Sequence, residues 1–231
     1  MEPVDHEGLL LVSQLRLRCQ QGLDELGLVA TEKQLDHLLA YLRLLQQWGR
    51  SYNLTAVRDP LQAVDRHIID SLSIRAWLDP GPALDAGSGA GLPGIPLAIM
   101  RPQQHWLLLD SNGKKVRFLR HVTRTLKLSN VAVMQQRLEQ LQPTDLDPDM
   151  RPVQIVSRAF APLQRQCAWA QVWLQSGCSL LAMVGAVDRA DISALPDDIV
   201  LVKSVSLPPL AAAASATEQR HLLILRRCAK H

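Results

Sequence analysis

The chain has 231 residues, 47% of them hydrophobic and 20% charged, with a formal net charge of +3 and an isoelectric point near 8.8. That balance excludes a disordered or low-complexity chain and supplies enough apolar residues for a sizeable core in one main domain plus an extension. The four cysteines (Cys19, Cys167, Cys178, Cys228) stand far apart with no Cys-x-x-Cys pair, which argues against a disulfide framework or a metal site and fits a reduced, cytoplasmic protein.

The first residues, MEPVDHEG, carry acids where a secretory leader carries bases, and the apolar run LLLV after them is short. Neither a signal peptide nor a membrane span is expected. Residues 8–78 read as helical. Leu9, Val12, Leu15, Leu17 and Leu23 recur near helical spacing, and Thr31 with Gln34 resembles a capping box before the stripe Leu35, Leu38, Leu39, Leu42, Leu45. Asn53 suits a cap or turn. Asp59-Pro60 is an N-cap followed by a first-turn proline, and it predicts a helix from Leu61 to about Trp77. His67 and Asp70, three apart on one face of that helix, read as partners of each other in the packing, with a role in closing a ligand pocket as the alternative. Pro80-Gly-Pro82 then breaks the chain, which divides it into a helical extension (1–80) and a main domain (81–231).

From residue 83 short apolar runs recur at 83–86, 106–109, 131–134, 153–156, 179–184, 199–205 and 221–225, with helical stretches clearest at 92–100, 112–127 and 162–175. Such alternation predicts an α/β fold with a mostly parallel sheet covered on both faces. The last two runs lack a long intervening helix and predict an antiparallel pair at the sheet edge. The alanine patch 211–214 is too short to interpret.

The stretch LDAGSGAGLPGIPLAI (84–99) follows the first strand, where open α/β sheets bind ligands. Gly89 to Gly94 satisfy Gly-x-Gly-x-x-Gly, a dinucleotide fingerprint that is weak alone. Read from Asp85, the pattern is Asp-x-Gly-x-Gly-x-Gly through Gly87, Gly89 and Gly91. An acid in that place repels a pyrophosphate and suits a ligand with an ammonium group, such as S-adenosylmethionine. Asp110 closes the next strand, where a carboxylate can accept from both ribose hydroxyls. Dinucleotide enzymes use the same device, so Asp110 does not discriminate, and strand-end acids elsewhere merely face solvent or cap helices.

Between Ser111 and Leu138 there is no acidic residue, while Lys114, Lys115, Arg117, Arg120, Arg124, Lys127 and Arg137 are basic. Lys114, Arg117, His121 and Arg124 share one helical face opposite Val116, Leu119, Val122 and Leu126. A charge run is most often a solvated face, but one without acids attracts phosphate backbones in a salt-sensitive way. Lys114, Lys115, Arg117 and Arg124 are the candidate RNA contacts.

The blocks WGRSYNLTAVRDP (48–60), RHIIDSL (66–72), LDAGSGAGLPGIPLAI, LLLDSNGKKVRFLR (107–120) and IVSRAF (155–160) follow one another in register. Over residues 40–190 the chain resembles the small-subunit ribosomal RNA guanine-N7 methyltransferases, the RsmG or glucose-inhibited division protein B family. The resemblance implies a class I methyltransferase fold, Rossmann-like with a seven-stranded sheet, and S-adenosyl-L-methionine as cofactor. It implies 16S ribosomal RNA or the small ribosomal subunit as partner, with methyl transfer to N7 of one guanine near the decoding region. It carries cofactor contacts onto Gly87, Leu92, Leu138, Glu139 and Arg158, to which the residue chemistry adds Asp85, Gly89, Gly91 and Asp110. A monomer without a metal is expected. Two positions depart from the family's pattern: Gly49 stands where Asn is usual, and Val184 where a lysine commonly precedes glycine, with Arg189 the candidate substitute cation.

Guanine N7 carries a lone pair and no proton, so this chemistry asks for in-line placement rather than a base or nucleophile. The sequence offers neither an NPPY-like tetrapeptide for an exocyclic amine nor a Pro-Cys motif for carbon methylation. Cys167 and Cys178 sit in apolar contexts that suit a core. Arg158 is the candidate orienting group, and Phe160 a candidate to stack on a base or to fill the core. The rival readings are an NAD(P)-dependent oxidoreductase using GAGLPG, an inactive RNA-binding relative, and a methyltransferase of another substrate.

Overall fold

A computed structural model describes residues 6–52, 54–211 and 219–228. The turn expected at Asn53 and the alanine patch beyond Ala211 lie outside the described residues. Helix α1 (His6–Glu25) and helix α2 (Glu32–Tyr52) open the chain. The capping box before α2 forms: Gln34 N–H donates to Thr31 Oγ1 (3.2 Å) and Thr31 N–H donates back to Gln34 Oε1 (2.9 Å). The apolar stripe of α1 is buried only in its second half. Cys19 and Leu23 are inside, whereas Leu9, Val12 and Leu17 face solvent.

The helix expected from Leu61 to Trp77 is present but not regular. Asp59 caps α3 (Pro60–Ala63) by accepting from Gln62 N–H at 2.7 Å. The chain then widens into a π-helical turn (Val64–Ile69), returns to α4 (Asp70–Leu72) and ends in a 3₁₀ turn at Arg75–Trp77. Single π turns are common at functional sites, and here the turn delivers His67 and Asp70 to the interior.

Each apolar run after residue 83 becomes a strand: β1 (Ala83–Ala86), β2 (Trp106–Asp110), β3 (Val131–Gln135), β4 (Gln154–Arg158), β5 (Ser179–Val184), β6 (Ile199–Ser206) and β7 (His221–Arg227). They form one seven-stranded sheet in the order β3-β2-β1-β4-β5-β7-β6, parallel from β3 to β5. The last two strands pair antiparallel as expected, but β7 also pairs antiparallel with β5. The final strand is therefore interior, which fits its buried Leu222, Leu223 and Leu225, and of this pair β6 lies at the sheet edge, opposite the β3 edge.

Between the strands lie α5 (Gly94–Met100), α6 (Gly113–Thr125), α7 (Leu163–Trp169), α8 (Gln171–Gln175) and the short α9 (Arg189–Ser193). One face of the sheet packs against α5, α6 and the N-terminal helices in a single core that includes Leu23, Leu38, Leu45, Ile68, Phe118 and Val156. The other face packs Leu84, Ile155 and Leu180 against Cys167, Trp173 and Leu174 of α7 and α8. Each such aliphatic side chain contributes roughly 1.5–3 kcal/mol on burial. The N-terminal helices also hold the loop after β1, because buried Tyr41 of α2 donates its hydroxyl to Ala90 O at 2.8 Å. The break at Pro80 is fastened to the sheet, where Gln154 Nε2 donates to Asp79 O (2.8 Å) and Gln104 Nε2 to Gly81 O (2.6 Å).

Candidate active site

The strand order sets the ends of β1, β2 and β4 side by side. Leaving β1, the chain turns through Gly87 at φ +66° and Gly89 at φ +58°. Any side chain strains such left-handed backbone, and at Gly87 a Cβ would also stand 2.1 Å from Phe160 Cδ2. Ser88 fastens the turn to β2. Its N–H donates to Leu109 O (3.0 Å), and its Oγ accepts from Leu109 N–H (3.1 Å) while donating to Asp85 O (2.8 Å). Asp85 is fully buried beneath the loop. Its Oδ2 accepts from Gly94 N–H at the start of α5 (3.0 Å), and its Oδ1 has no partner among the described residues. Burial pushes this carboxyl up to about 7 because the charged form loses its hydration.

Asp110, at the end of β2, faces the same loop. Its Oδ2 accepts from Gly89 N–H (2.9 Å) and its Oδ1 from Asn112 N–H (2.8 Å). Asn112 in turn caps α6 by accepting from Lys114 N–H at 2.9 Å. A cleft of about 250 Å³ opens above these groups. Gly87 and Asp110 form its floor, Lys115 one wall, Leu138 and Glu139 a second, and Phe160 and Trp169 after β4 a third. The ring of Phe160 lies against Gly87, with its centroid 5.3 Å from that of Trp169.

The residues expected at a cofactor thus separate by position. Gly87, Asp110, Leu138 and Glu139 line the cleft. Asp85 and Gly89 brace its floor from below through the bonds above. Gly91 and Leu92 turn inward: Leu92 is in the core, and a Cβ at Gly91 would meet Ile95 and Leu119. Arg158 lies outside this cleft and lines a second one, of about 470 Å³, beside it. Ala159, the next residue, lines both.

In the second cleft Arg158 Nη1 donates to Asp70 Oδ2 (2.7 Å) and to Arg66 O (2.9 Å). Arg220, which precedes β7, donates from Nη1 to Asp70 Oδ1 and from Nη2 to Pro208 O. Asp70 therefore pairs with two arginines and not with His67, whose Nε2 bonds Thr55 Oγ1 at 2.8 Å. Desolvation lowers the pKa of that imidazole to about 4, so it is neutral at physiological pH. Val184 and Gly185 also line this cleft together with Arg158 and Arg220, whereas Arg189 opens the exposed α9. Gln166 closes one side, accepting from Ser157 Oγ at 2.5 Å and donating to Ala161 O at 2.6 Å.

The places of Trp169 in the first cleft and of Asp70 and Arg220 in the second were not legible from the sequence. Trp169 reads as an ordinary helical apolar position, and Arg220 is isolated in sequence behind the alanine patch. Asp70 had a signal, since it stands in the RHIIDSL block, but its partners lie 88 and 150 residues away.

Lys114, Arg117, Arg120 and Arg124 of α6 are exposed, and none pairs with a carboxylate among the described residues. Val116, Phe118, Leu119 and Val122 hold the opposite face in the core. Lys115 differs from the rest of that set in lining the first cleft, and His121 stacks on Trp48 with centroids 5.2 Å apart. Cys167 and Cys178 are buried, and desolvation raises both thiols to about 11. The described residues contain no metal-like cluster of His, Cys, Asp and Glu, and no helix long and apolar enough to cross a membrane.

A model of the family described as "GidB: rRNA small subunit methyltransferase G" matches residues 34–223. The protein named ribosomal RNA small subunit methyltransferase G in Cellvibrio japonicus is 42% identical over 219 residues, which cover 93% of this chain and 96% of that one. Its namesake in Pseudomonas aeruginosa is 44% identical over 210 residues, covering 90% and 94%. Among solved structures, a Streptococcus pneumoniae protein provisionally described as a tRNA (m1A22) methyltransferase superposes with a TM-score of 0.51 at 12% identity, covering 68% of this chain and 69% of that one. A member of the NADB-Rossmann superfamily from Streptococcus agalactiae gives 0.50 at 11% identity, covering 70% and 69%. Those two likenesses speak to the fold alone.

Proposed function

The chain belongs to the family of small-subunit ribosomal RNA methyltransferase G proteins, and from that premise we propose that it methylates N7 of one guanine in 16S ribosomal RNA near the decoding region. It is an S-adenosylmethionine-dependent enzyme of ribosomal RNA. The observation that carries the finer reading is the junction of the two clefts at Ala159. One cleft suits a cofactor, the other an entering base, and no side chain at the junction is required to move a proton.

The first cleft fits S-adenosylmethionine by its donor and acceptor chemistry. Asp110 keeps a free lone pair on each oxygen for ribose hydroxyls after accepting from Gly89 and Asn112. Leu138 gives an apolar flank for adenine, and the backbone at Gly87 is bare. Buried Asp85 does not line the cleft; it holds the start of α5 under the loop and leaves the bare backbone above it facing the ligand. A dinucleotide fits less well. Its pyrophosphate would need the first N–H of α5, and the Asp85 carboxylate already occupies the Gly94 N–H.

Bound in the first cleft, S-adenosylmethionine would supply a methyl group on a sulfonium, which the N7 lone pair of a guanine can take directly, with the C–S bonding pair left on sulfur and no proton to remove. The protein's share is placement in line, which in the best cases supplies roughly 7–11 kcal/mol. Exposed Lys114, Arg117 and Arg124 would hold the RNA backbone, while Lys115 reaches it from the rim of the cofactor cleft. We read residues 1–80 as the helical extension that braces the loop after β1 and residues 81–231 as the methyltransferase domain. We also read the protein as a monomer, without a resident metal, that acts where its ribosomal RNA is, in the cytoplasm.

The test is transfer of a labelled methyl group by the purified protein to small-subunit RNA and to small subunits, followed by digestion to nucleosides. The expected label is in 7-methylguanosine alone. Label in another nucleoside, or none in either substrate, would overturn the reading.

A further inference from the structure

The second cleft contains a charged cluster built around Arg158, which was expected at the cofactor and lies outside the first cleft. Asp70 comes from α4, Arg158 from the end of β4 and Arg220 from the segment before β7. Their side chains are only 11%, 20% and 12% exposed, so the three charges have been taken largely out of water at a cleft wall. Burying charge is costly unless it is paired, and a cluster drawn from three distant segments is held there by the fold rather than by local sequence.

Resting on the reading that this enzyme methylates a guanine, we propose that Asp70 and Arg158 form the guanine-selecting edge of the base pocket. Asp70 accepts one bond on each oxygen, from Arg158 and from Arg220, and a carboxylate oxygen can accept two. One acceptor site therefore remains on each oxygen. Arg158 spends Nη1 on Asp70 and Arg66 O, and its Nε and Nη2 have no partner among the described residues. The wall thus presents two acceptors followed by donors.

Guanine presents the complement in the same order: the 2-amino group and N1–H as donors, then O6 as acceptor, then N7. Arg158 is followed directly by Ala159, the residue shared with the cofactor cleft. A guanine whose 2-amino and N1–H groups meet Asp70 and whose O6 meets Arg158 has the next polar atom along that edge, N7, on the side of that junction. Adenine in the same pose sets its amine against the arginine and its N1 lone pair against the carboxylate. Sites built to hydrogen-bond a substrate reject such mismatches strongly, because their own buried polar groups are left unpaired.

The test crosses substrate with protein. The methylated guanine is first located in the RNA by mass spectrometry, and small-subunit RNA is then assembled with inosine at that position, which removes only the 2-amino group. Wild type should lose about tenfold or more in kcat/KM on inosine, the cost of one bond to a charged group. Asp70→Asn should lose about tenfold or more on guanine and show guanine and inosine within about twofold of each other. Its affinity for S-adenosylhomocysteine should stay within about threefold of wild type, since Asp70 lies outside the first cleft. Arg158→Lys should fall likewise on guanine while keeping the inosine penalty. If Asp70→Asn does not fold, the wild-type ratio still decides. Equal rates on inosine and guanine would overturn the inference and leave the cluster as a grip on backbone phosphate. An undiminished inosine penalty in Asp70→Asn would overturn it too. A wild type that methylates no guanine at all would overturn the function itself, and this inference with it.

Discussion

Replacing Asp110 by asparagine separates holding the loop from holding the cofactor. The carboxylate accepts two backbone N–H bonds, from Gly89 at 2.9 Å and from Asn112 at 2.8 Å. Asparagine keeps one acceptor and turns an amino group toward the other N–H. Hydrogen bonds to a charged group contribute about 1.5–3 kcal/mol each, and an orphaned buried donor costs about 1–3 kcal/mol. The unliganded protein should therefore lose about 2–3 kcal/mol, which for a chain of this length lowers Tm by roughly 4–12 °C. The ribose hydroxyls lose an ionised acceptor as well, so the Kd for S-adenosylhomocysteine, measured by titration calorimetry, should rise about 10- to 100-fold. A lowered Tm with an affinity within twofold of wild type would refute the ribose role and leave Asp110 as a loop anchor.

Gly87→Ala meets a left-handed backbone, at about 1–2 kcal/mol, and a Cβ that overlaps the Phe160 ring. It should lower Tm and weaken S-adenosylhomocysteine at least about tenfold, and an unchanged affinity would take the ring and the loop out of the cofactor site. Asp85 titrates near 7 in the fold against 3.8 outside it, so between those values the native state holds a proton that the unfolded chain has lost. Stability of the unliganded protein should fall as pH rises from about 4 to 7 and level off above; Asp85→Asn should remove that part of the slope in urea unfolding, and an identical profile would show that Asp85 is not desolvated. Exchanging Lys114, Arg117 and Arg124 together for glutamine should cut the slope of log affinity for RNA against log salt by roughly 2–3. An unaltered slope would mean that the RNA passes over another face.

Local features of this chain were legible where one segment decides them. The capping box at Thr31, the Asp59-Pro60 start and each of the later strands follow from residues within a few positions of one another. The order of the last two strands was not, because whether β7 pairs with β6 alone or also enters beside β5 depends on a surface the sequence does not display. The π turn at Val64–Ile69 was hidden for a similar reason: an apolar stripe reads the same through one wider turn. At the site, Asp85, Gly87 and Asp110 announced themselves because a ligand loop needs an acid and bare backbone in one stretch. Arg158 was singled out in the sequence as a candidate cofactor contact, but its place in the second cleft beside Asp70 and Arg220 was not legible, since only the fold brings together residues so far apart.

The most direct test of the account is nucleoside mass spectrometry of small-subunit RNA from cells with and without this gene. The account predicts the loss of one 7-methylguanosine from 16S RNA, restored by the intact gene and not by Asp110→Asn. A full complement of 7-methylguanosine in the absence of the gene would contradict it.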